Sequence, residues 1–215
     1  MEKDLSDYRK VYKKKELSEN DIPENPLELF QKWFYNVEQS NSIDEANAMT
    51  VSTIGTDGFP KSRVVLMKKF TWEGFIFYTN YNSEKGQAIT NNPNLCLSFF
   101  WPGMEQQIII KGIAEKVPEN LSDGYFESRP DGSKLGAWAS NQSQVVASKD
   151  ELLQNLEKFE QKFENSEIPR PKHWGGYLVK PKSIEFWQGR PNRMHDRILY
   201  TLQENFDWNI ERLAP

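Results

Sequence analysis

The chain has 215 residues, of which 37% are apolar, 13% aromatic and 27% charged, and its formal net charge is −4. That length suits one domain, or one domain with arms, and seven Trp with thirteen Phe can fill a sizeable core. A mildly acidic chain is no general polyanion binder, so any phosphate site must be local, and a lone cysteine, Cys96, excludes an internal disulfide or a Cys-rich zinc site.

Residues 1–25 are polar. The N-terminal MEKDLSDYRK lacks the apolar core of a secretory signal, and no apolar run approaches the roughly 20 residues of a membrane helix. A cytoplasmic protein with no membrane partner is therefore expected. Arg9, Lys10, Lys13, Lys14 and Lys15 form a basic run, yet residues 1–20 hold six basic and five acidic side chains. The segment reads as a solvated, mobile arm, or alternatively as an arm that folds over a site; residues 26–215 form the domain proper.

Pro26 opens a helical pattern in which Leu27, Phe30, Phe34 and Val37 recur at helical spacing. Strand-like text starts at Ala48 and runs through Ser62–Lys69, Gly74–Thr79, Leu95–Trp101 and Gln107–Val117, with hairpin turns at Asp57-Gly58 and Glu73-Gly74. Leu95 and Leu97 beside Cys96 predict a buried strand position and an inert core thiol. Short helices are predicted after Ser83 and over 119–128, and a longer one over 149–165. Strands return at Gly176–Val179, Ser183–Trp187, Arg197–Leu202 and Trp208–Leu213. Antiparallel strands with intervening helices predict a barrel-like α+β domain.

Dinucleotide, P-loop and nucleophile-elbow signatures are absent, and two histidines, His173 and His195, leave little for a metal cluster. A phosphate must then be held by side chains. Arg63-Val64-Val65-Leu66-Met67-Lys68 places two cations on opposite faces of a strand, which is also a commonplace pattern for an amphipathic strand. Tyr78 to Lys85 ends a strand and starts a helix with Ser83 as N-cap; the stretch reads as an anion site or as ordinary capping. Tyr125 and Arg129 are four apart on a predicted helix, with Ser133 after a turn. They read as a phosphate clamp or as a charged helix end. Arg193, His195 and Arg197 alternate, so on a strand they share a face, either toward an anionic or electron-rich ligand or toward solvent. His195 and Asp196 would then point to opposite faces and not pair.

The stretches RVVLMK, FYTNYNSEKG, YFESRPDGSKLGAWASNQS, WGGYLVKPKSIEFWQG and RMHDR together resemble the pyridoxine/pyridoxamine 5'-phosphate oxidase family over nearly the whole chain. The resemblance implies an FMN-binding split β-barrel acting as a homodimer with sites at the subunit interface. It implies FMN contacts from Arg63, Val64, Val65, Leu66, Met67 and Lys68, from Tyr78, Thr79, Ser83, Glu84 and Lys85, and from Gln107, Gln142, Ser143, Trp187 and Arg197. It places Lys68, Tyr125, Arg129 and Ser133 on the substrate phosphate, Arg193 and His195 over the substrate ring as the catalytic pair, and Arg9 and Tyr12 on an arm covering the substrate. Three positions depart from the family pattern: Glu84 stands where a basic residue is frequent, Ile109 where Arg is common, and Met194 where Leu is common.

The implied reaction is oxidation of pyridoxine 5'-phosphate or pyridoxamine 5'-phosphate to pyridoxal 5'-phosphate, in vitamin B6 salvage and cofactor synthesis. Oxygen is the acceptor and hydrogen peroxide the by-product, no metal takes part, and Arg197 is the candidate cation for charge developing near flavin N1. Two rival readings remain. One is a non-oxidase flavoprotein on the same barrel, which would not need the phosphate clamp. The other is a pyridoxal-phosphate carrier or a nucleic-acid module using the basic arm; the net charge of −4 weighs against nucleic acid.

Overall fold

The computed structural model describes residues 3–215; Met1 and Glu2, the first two residues of the expected arm, lie outside the described residues. The elements in chain order are α1 (Pro26–Ser40), β1 (Ala48–Ile54), β2 (Pro60–Leu66), β3 (Lys69–Thr71), β4 (Gly74–Asn80), α2 (Glu84–Asn91), β5 (Asn94–Trp101), β6 (Gln106–Lys116), α3 (Glu119–Glu127), α4 (Asp131–Ala139), α5 (Lys149–Phe163), β7 (Trp174–Gln188), β8 (Asp196–Leu202) and β9 (Trp208–Arg212). Hydrogen bonding orders the strands β2-β1-β5-β6-β7-β4-β3, with β8 on β7 and β9 on β8. The chain divides into two compact units, one of residues 1–49, 97–111 and 181–215, the other of residues 50–96 and 112–180.

In the first unit, α1 starts where Asn25 caps the Leu27 amide and Pro26 occupies the first turn. Its apolar face, Leu27, Phe30, Phe34 and Val37, is buried. Phe30 packs 5.3 Å from Phe99, and Trp33 meets Phe186 edge-on at 5.2 Å. Phe186 in turn meets Tyr200 at 5.7 Å. Each fully buried large side chain contributes about 2–3 kcal/mol of transfer free energy. The strands β7 and β8 pair antiparallel with Trp187 opposite Arg197, and β8 pairs β9 with Ile198 opposite Arg212.

In the second unit, β4 pairs the first part of β7 with Tyr78 opposite Gly176 and Thr79 opposite Gly175. Gly74, at φ 144, makes the β3–β4 turn, and Gly58, at φ 81, makes the turn before β2. In α5 the apolar side is only half covered: Phe159 and Phe163 lie 5.6 and 5.4 Å from the Trp138 ring.

Four local expectations are corrected. Residues 176–187 form one strand rather than two, because β7 pairs β4 up to Val179 and β8 from Ser183, so Pro181 falls where neither ladder needs its missing amide proton. Cys96 is half-buried; alternation buries its neighbours Leu95 and Leu97 and sends Cys96 to the other face. The helix α3 ends at Glu127, so Tyr125 and Arg129 do not share one helix. Arg193 and His195 precede β8 instead of lying on it: residues 191–193 form a 3-10 turn with Asn192 and Arg193 left-handed at φ 56 and 62.

Candidate functional site

A cavity of about 920 Å³ in the second unit is lined by five cationic side chains, Lys61, Arg63, Lys68, Lys85 and Arg129, against one carboxylate, Glu84. Strand β2 delivers Arg63 to Leu66, and Lys68 follows it. Val64, Val65 and Leu66 line the cavity, whereas Met67 is buried in the core. The end of β4 delivers Tyr78 and Thr79, and α2 delivers Glu84 and Lys85. Ser83 is the N-cap: its hydroxyl donates to the Asn80 carbonyl and accepts from the Gly86 amide. With both bonds made, this wholly buried residue serves the helix start directly, and a helix N-terminus of this kind favours an anion.

The cations are held in defined positions. Arg63 donates to Thr53 Oγ1 at 2.7 Å and to the Lys61 carbonyl at 2.8 Å. Lys85 Nζ donates to Thr79 Oγ1 at 3.2 Å, and the same hydroxyl donates onward to Gln142 Oε1 at 3.3 Å. Burial, and then the nearby Arg63 charge, push the Lys85 ammonium down to about 8, with Glu84 partly opposing. Burial likewise lowers Arg63 and Arg129 from the ordinary guanidinium range. Glu84 does not face the cations alone: Lys61 Nζ lies 2.5 Å from its carboxylate.

At the other side of the cavity, Tyr78, Tyr125 and Trp174 lie parallel, with Tyr78 and Tyr125 ring centroids 4.0 Å apart. The Arg129 guanidinium sits 4.5 Å over Trp174, and its Nη1 is buried without a hydrogen-bond acceptor. A buried guanidinium donor left unmatched is costly, and an anion is the group that would satisfy it. Ser133, in the first turn of α4, and Gln142 and Ser143 line the same cavity. Lys61, Ser128, Pro130 and Trp174 line it too and were not singled out from the sequence.

A second cluster lies in the first unit. Trp187 and His195 rings are 4.7 Å apart, and Tyr12 meets both edge-on at 5.7 and 5.8 Å. His195 Nδ1 accepts from the Arg190 amide at 3.1 Å, which leaves Nε2 as the protonated nitrogen of the neutral ring. Burial and the Arg193 charge lower the His195 pKa, with Asp196 opposing. Asp196 does not pair with His195; its carboxylate takes the Leu17 amide and Arg212. Arg197 is already engaged, through Nε to Glu185 at 2.8 Å and Nη1 to the Ala214 carbonyl at 2.8 Å. Gln107 and Ile109 are half-buried on one face of β6, opposite the buried Ile108 and Ile110. Arg193 is exposed, and Arg9 donates locally, from Nε to the Ser6 carbonyl and from its amide to the Asp7 carbonyl.

Two family models match the chain: pyridoxamine 5'-phosphate oxidase over residues 37–163, and the pyridoxine 5'-phosphate oxidase C-terminal dimerisation region over residues 174–215. A pyridoxine/pyridoxamine 5'-phosphate oxidase of Flavobacterium psychrophilum is 66% identical, covering 99% of this chain and 100% of its own length. Its counterpart in Nostoc sp. is 50% identical, with full coverage of both chains. Among solved structures, PhzG from Burkholderia lata, in complex with tetrahydrophenazine-1-carboxylic acid, has a TM-score of 0.85 at 28% identity, covering 91% of this chain and 95% of its own. A pyridoxamine 5'-phosphate oxidase-related, FMN binding protein from Nostoc punctiforme has a TM-score of 0.70 at 15% identity, covering 90% and 100%. These likenesses show the fold to be the α+β split β-barrel expected from the sequence.

Proposed function

Because the chain belongs to the pyridoxine/pyridoxamine 5'-phosphate oxidase family, a family of FMN-dependent oxidoreductases, we propose that it oxidises pyridoxine 5'-phosphate or pyridoxamine 5'-phosphate to pyridoxal 5'-phosphate, with oxygen reduced to hydrogen peroxide. The observation that carries this reading is the cavity of five cations and one neutralised carboxylate, in which Arg129 Nη1 is buried with no acceptor. Such a donor set fits phosphate groups, and both the cofactor and the two substrates bear one.

When bound, FMN supplies the two-electron acceptor. Arg63, Lys85 and the α2 N-terminus would hold its phosphate, with Thr79 and Gln142 fixing Lys85. Lys68, Tyr125, Arg129 and Ser133 would hold the substrate phosphate, an anchor remote from the reacting C4' carbon whose binding energy orients that carbon. Arg193 would hold the substrate ring at its phenolic oxygen. His195, neutral with its proton on Nε2, would donate a hydrogen bond or exchange a proton there. Pyridoxine phosphate gives the aldehyde directly; pyridoxamine phosphate gives an imine that water hydrolyses with release of ammonia.

The C-terminal dimerisation region at residues 174–215 supports a homodimer, and the reading places its sites at the interface of two copies. The departures Glu84 and Ile109 bear on cofactor affinity and leave the substrate clamp untouched. The test is aerobic turnover of FMN-loaded protein with pyridoxine 5'-phosphate. Aldehyde and hydrogen peroxide should appear in equal amounts. FMN-loaded protein that turns over neither phosphate substrate would exclude this function.

A further inference from the structure

The turn joining β5 to β6 carries an acid that the chemistry above does not use. Glu105 has a left-handed backbone at φ 58, and its side chain is only 2% exposed. A buried carboxylate must be paired or supplied with donors. Here Oε2 accepts the amides of Lys13 at 2.8 Å and Lys14 at 3.0 Å, while Lys10 Nζ lies 3.6 Å from Oε1. All three donors come from the N-terminal segment. The backbone of Glu105 faces the other way: its carbonyl accepts the Gly189 amide at 2.8 Å and the Gln188 side-chain amide at 3.2 Å. One residue therefore ties the segment to the end of β7, within two residues of Trp187.

The residue just before the captured amides is Tyr12, whose ring meets Trp187 and His195. The space it takes exists because residue 189 has no side chain. A Cβ there would lie 2.7 Å from Tyr12 Cγ and 2.8 Å from Tyr12 Cβ, contacts that the tyrosine root cannot absorb by rotating its ring. Downstream, Arg190 accepts no freedom either: it bonds the Lys15 carbonyl at 3.0 Å and the Glu16 carboxylate at 3.1 Å.

We propose that Glu105 is a positioning residue for turnover: its carboxylate captures the Lys13 and Lys14 amides and thereby holds Tyr12 against Trp187 and His195, in the space left by Gly189. The segment and the carboxylate are coupled, since undocking strips Glu105 of both amide donors and leaves the two amides without that acceptor. The proposal rests on the reading that Tyr12 and His195 serve the substrate.

The test uses the full-length, FMN-loaded protein and two independent variants, Glu105→Gln and Gly189→Ala. The first keeps shape but removes charge, about halving the strength of hydrogen bonds to the acceptor. The second displaces Tyr12 while leaving Glu105 intact. Trypsin cleavage after Lys13, Lys14 and Lys15, followed by mass spectrometry, reads release of the segment. Both variants should be cut there about tenfold faster than wild type, with residues 16–215 left intact, and both should lose about tenfold in kcat/KM for pyridoxine 5'-phosphate. Cleavage at the wild-type rate in both variants would overturn the dock. Faster cleavage with unchanged kcat/KM would overturn the positioning role. A wild-type protein without turnover would sink the functional reading on which the role depends, while the trypsin comparison still decides the dock by itself.

Discussion

Lys85 is a buried cation whose single hydrogen-bond acceptor is the neutral Thr79 hydroxyl, and replacing it with Met separates the cost of the site from its use. Its pKa falls from 10.5 to about 8, mainly through burial. At 1.36 kcal/mol per pKa unit, that corresponds to about 3 kcal/mol. The ammonium opens onto a cavity, so solvent screening reduces the effective figure to about 1–2 kcal/mol. Lys85→Met should therefore make the FMN-free protein more stable at neutral pH by that amount, a rise of about 2–8 °C in Tm for a chain of this size. The pH dependence gives the sign independently. Between pH 8 and 10.5 the unfolded chain holds the Lys85 proton and the folded chain does not, so wild-type stability gains on that of the variant as pH rises through this window. Below pH 8 the full penalty is in place. Binding should move the other way: loss of a charge-assisted contact to the cofactor phosphate costs about 1.5–3 kcal/mol, or roughly ten- to a hundredfold in Kd. Denaturant titration of the FMN-free proteins across that pH range, with flavin fluorescence quenching for Kd, reads both. A variant less stable than wild type, with FMN affinity unchanged, would refute the assignment of Lys85 to a phosphate.

Arg129→Ala should raise KM for either phosphate substrate by at least tenfold with kcat nearly preserved, as steady-state kinetics would show. His195→Ala or Arg193→Ala should cut turnover about a hundredfold while the yellow colour of bound FMN persists. Because burial and Arg193 lower the His195 pKa, kcat/KM should fall only on the acid side of the ordinary imidazole range, as the ring gains a proton, and that acid limb should vanish in His195→Gln. Glu84→Gln should tighten FMN binding about two- to fivefold by isothermal titration, since it removes the one carboxylate that lines the cavity among the described residues.

Strand and helix placement was legible wherever periodicity and turn chemistry agreed. Pro26 after Asn25, with Leu27, Phe30, Phe34 and Val37 at helical spacing, marks α1, and Asp57-Gly58 marks the turn into β2. Legibility failed where a partner change decides the backbone. The long β7 passes through Pro181 because two different strands pair its two ends, and nothing local records that exchange. The alternation of Arg193, His195 and Arg197 read as a strand face, but Pro191 and the left-handed Asn192 and Arg193 turn the chain before Asp196. What the alternation did capture is chemistry: three donors in five residues, with His195 fixed by the Arg190 amide.

The site shows the same division. Arg63, Lys68, Lys85 and Arg129 each had an ordinary reading by itself, as a strand end, a capped helix start or a charged helix end, and were singled out as phosphate ligands by their residue type and by the family resemblance; all four line one cavity. Their supporting contacts were invisible, since each depends on chain separation that spacing cannot encode. Glu84 read as a missing cofactor contact; its compensation by Lys61 comes from 23 residues earlier. Trp174 lies 45 residues after the arginine it supports, and Glu105 lies 92 residues after the amide of Lys13. A charge deletion at a phosphate site is thus not the same as a loss of charge. Lys61 both neutralises Glu84 and adds a cation to the lining, so the net charge of the cavity is that of its four other cations. The physical consequence is that salt weakens the exposed Lys61–Glu84 pair at the rim, while the net positive charge of the cavity rests on Arg63, Lys68, Lys85 and Arg129.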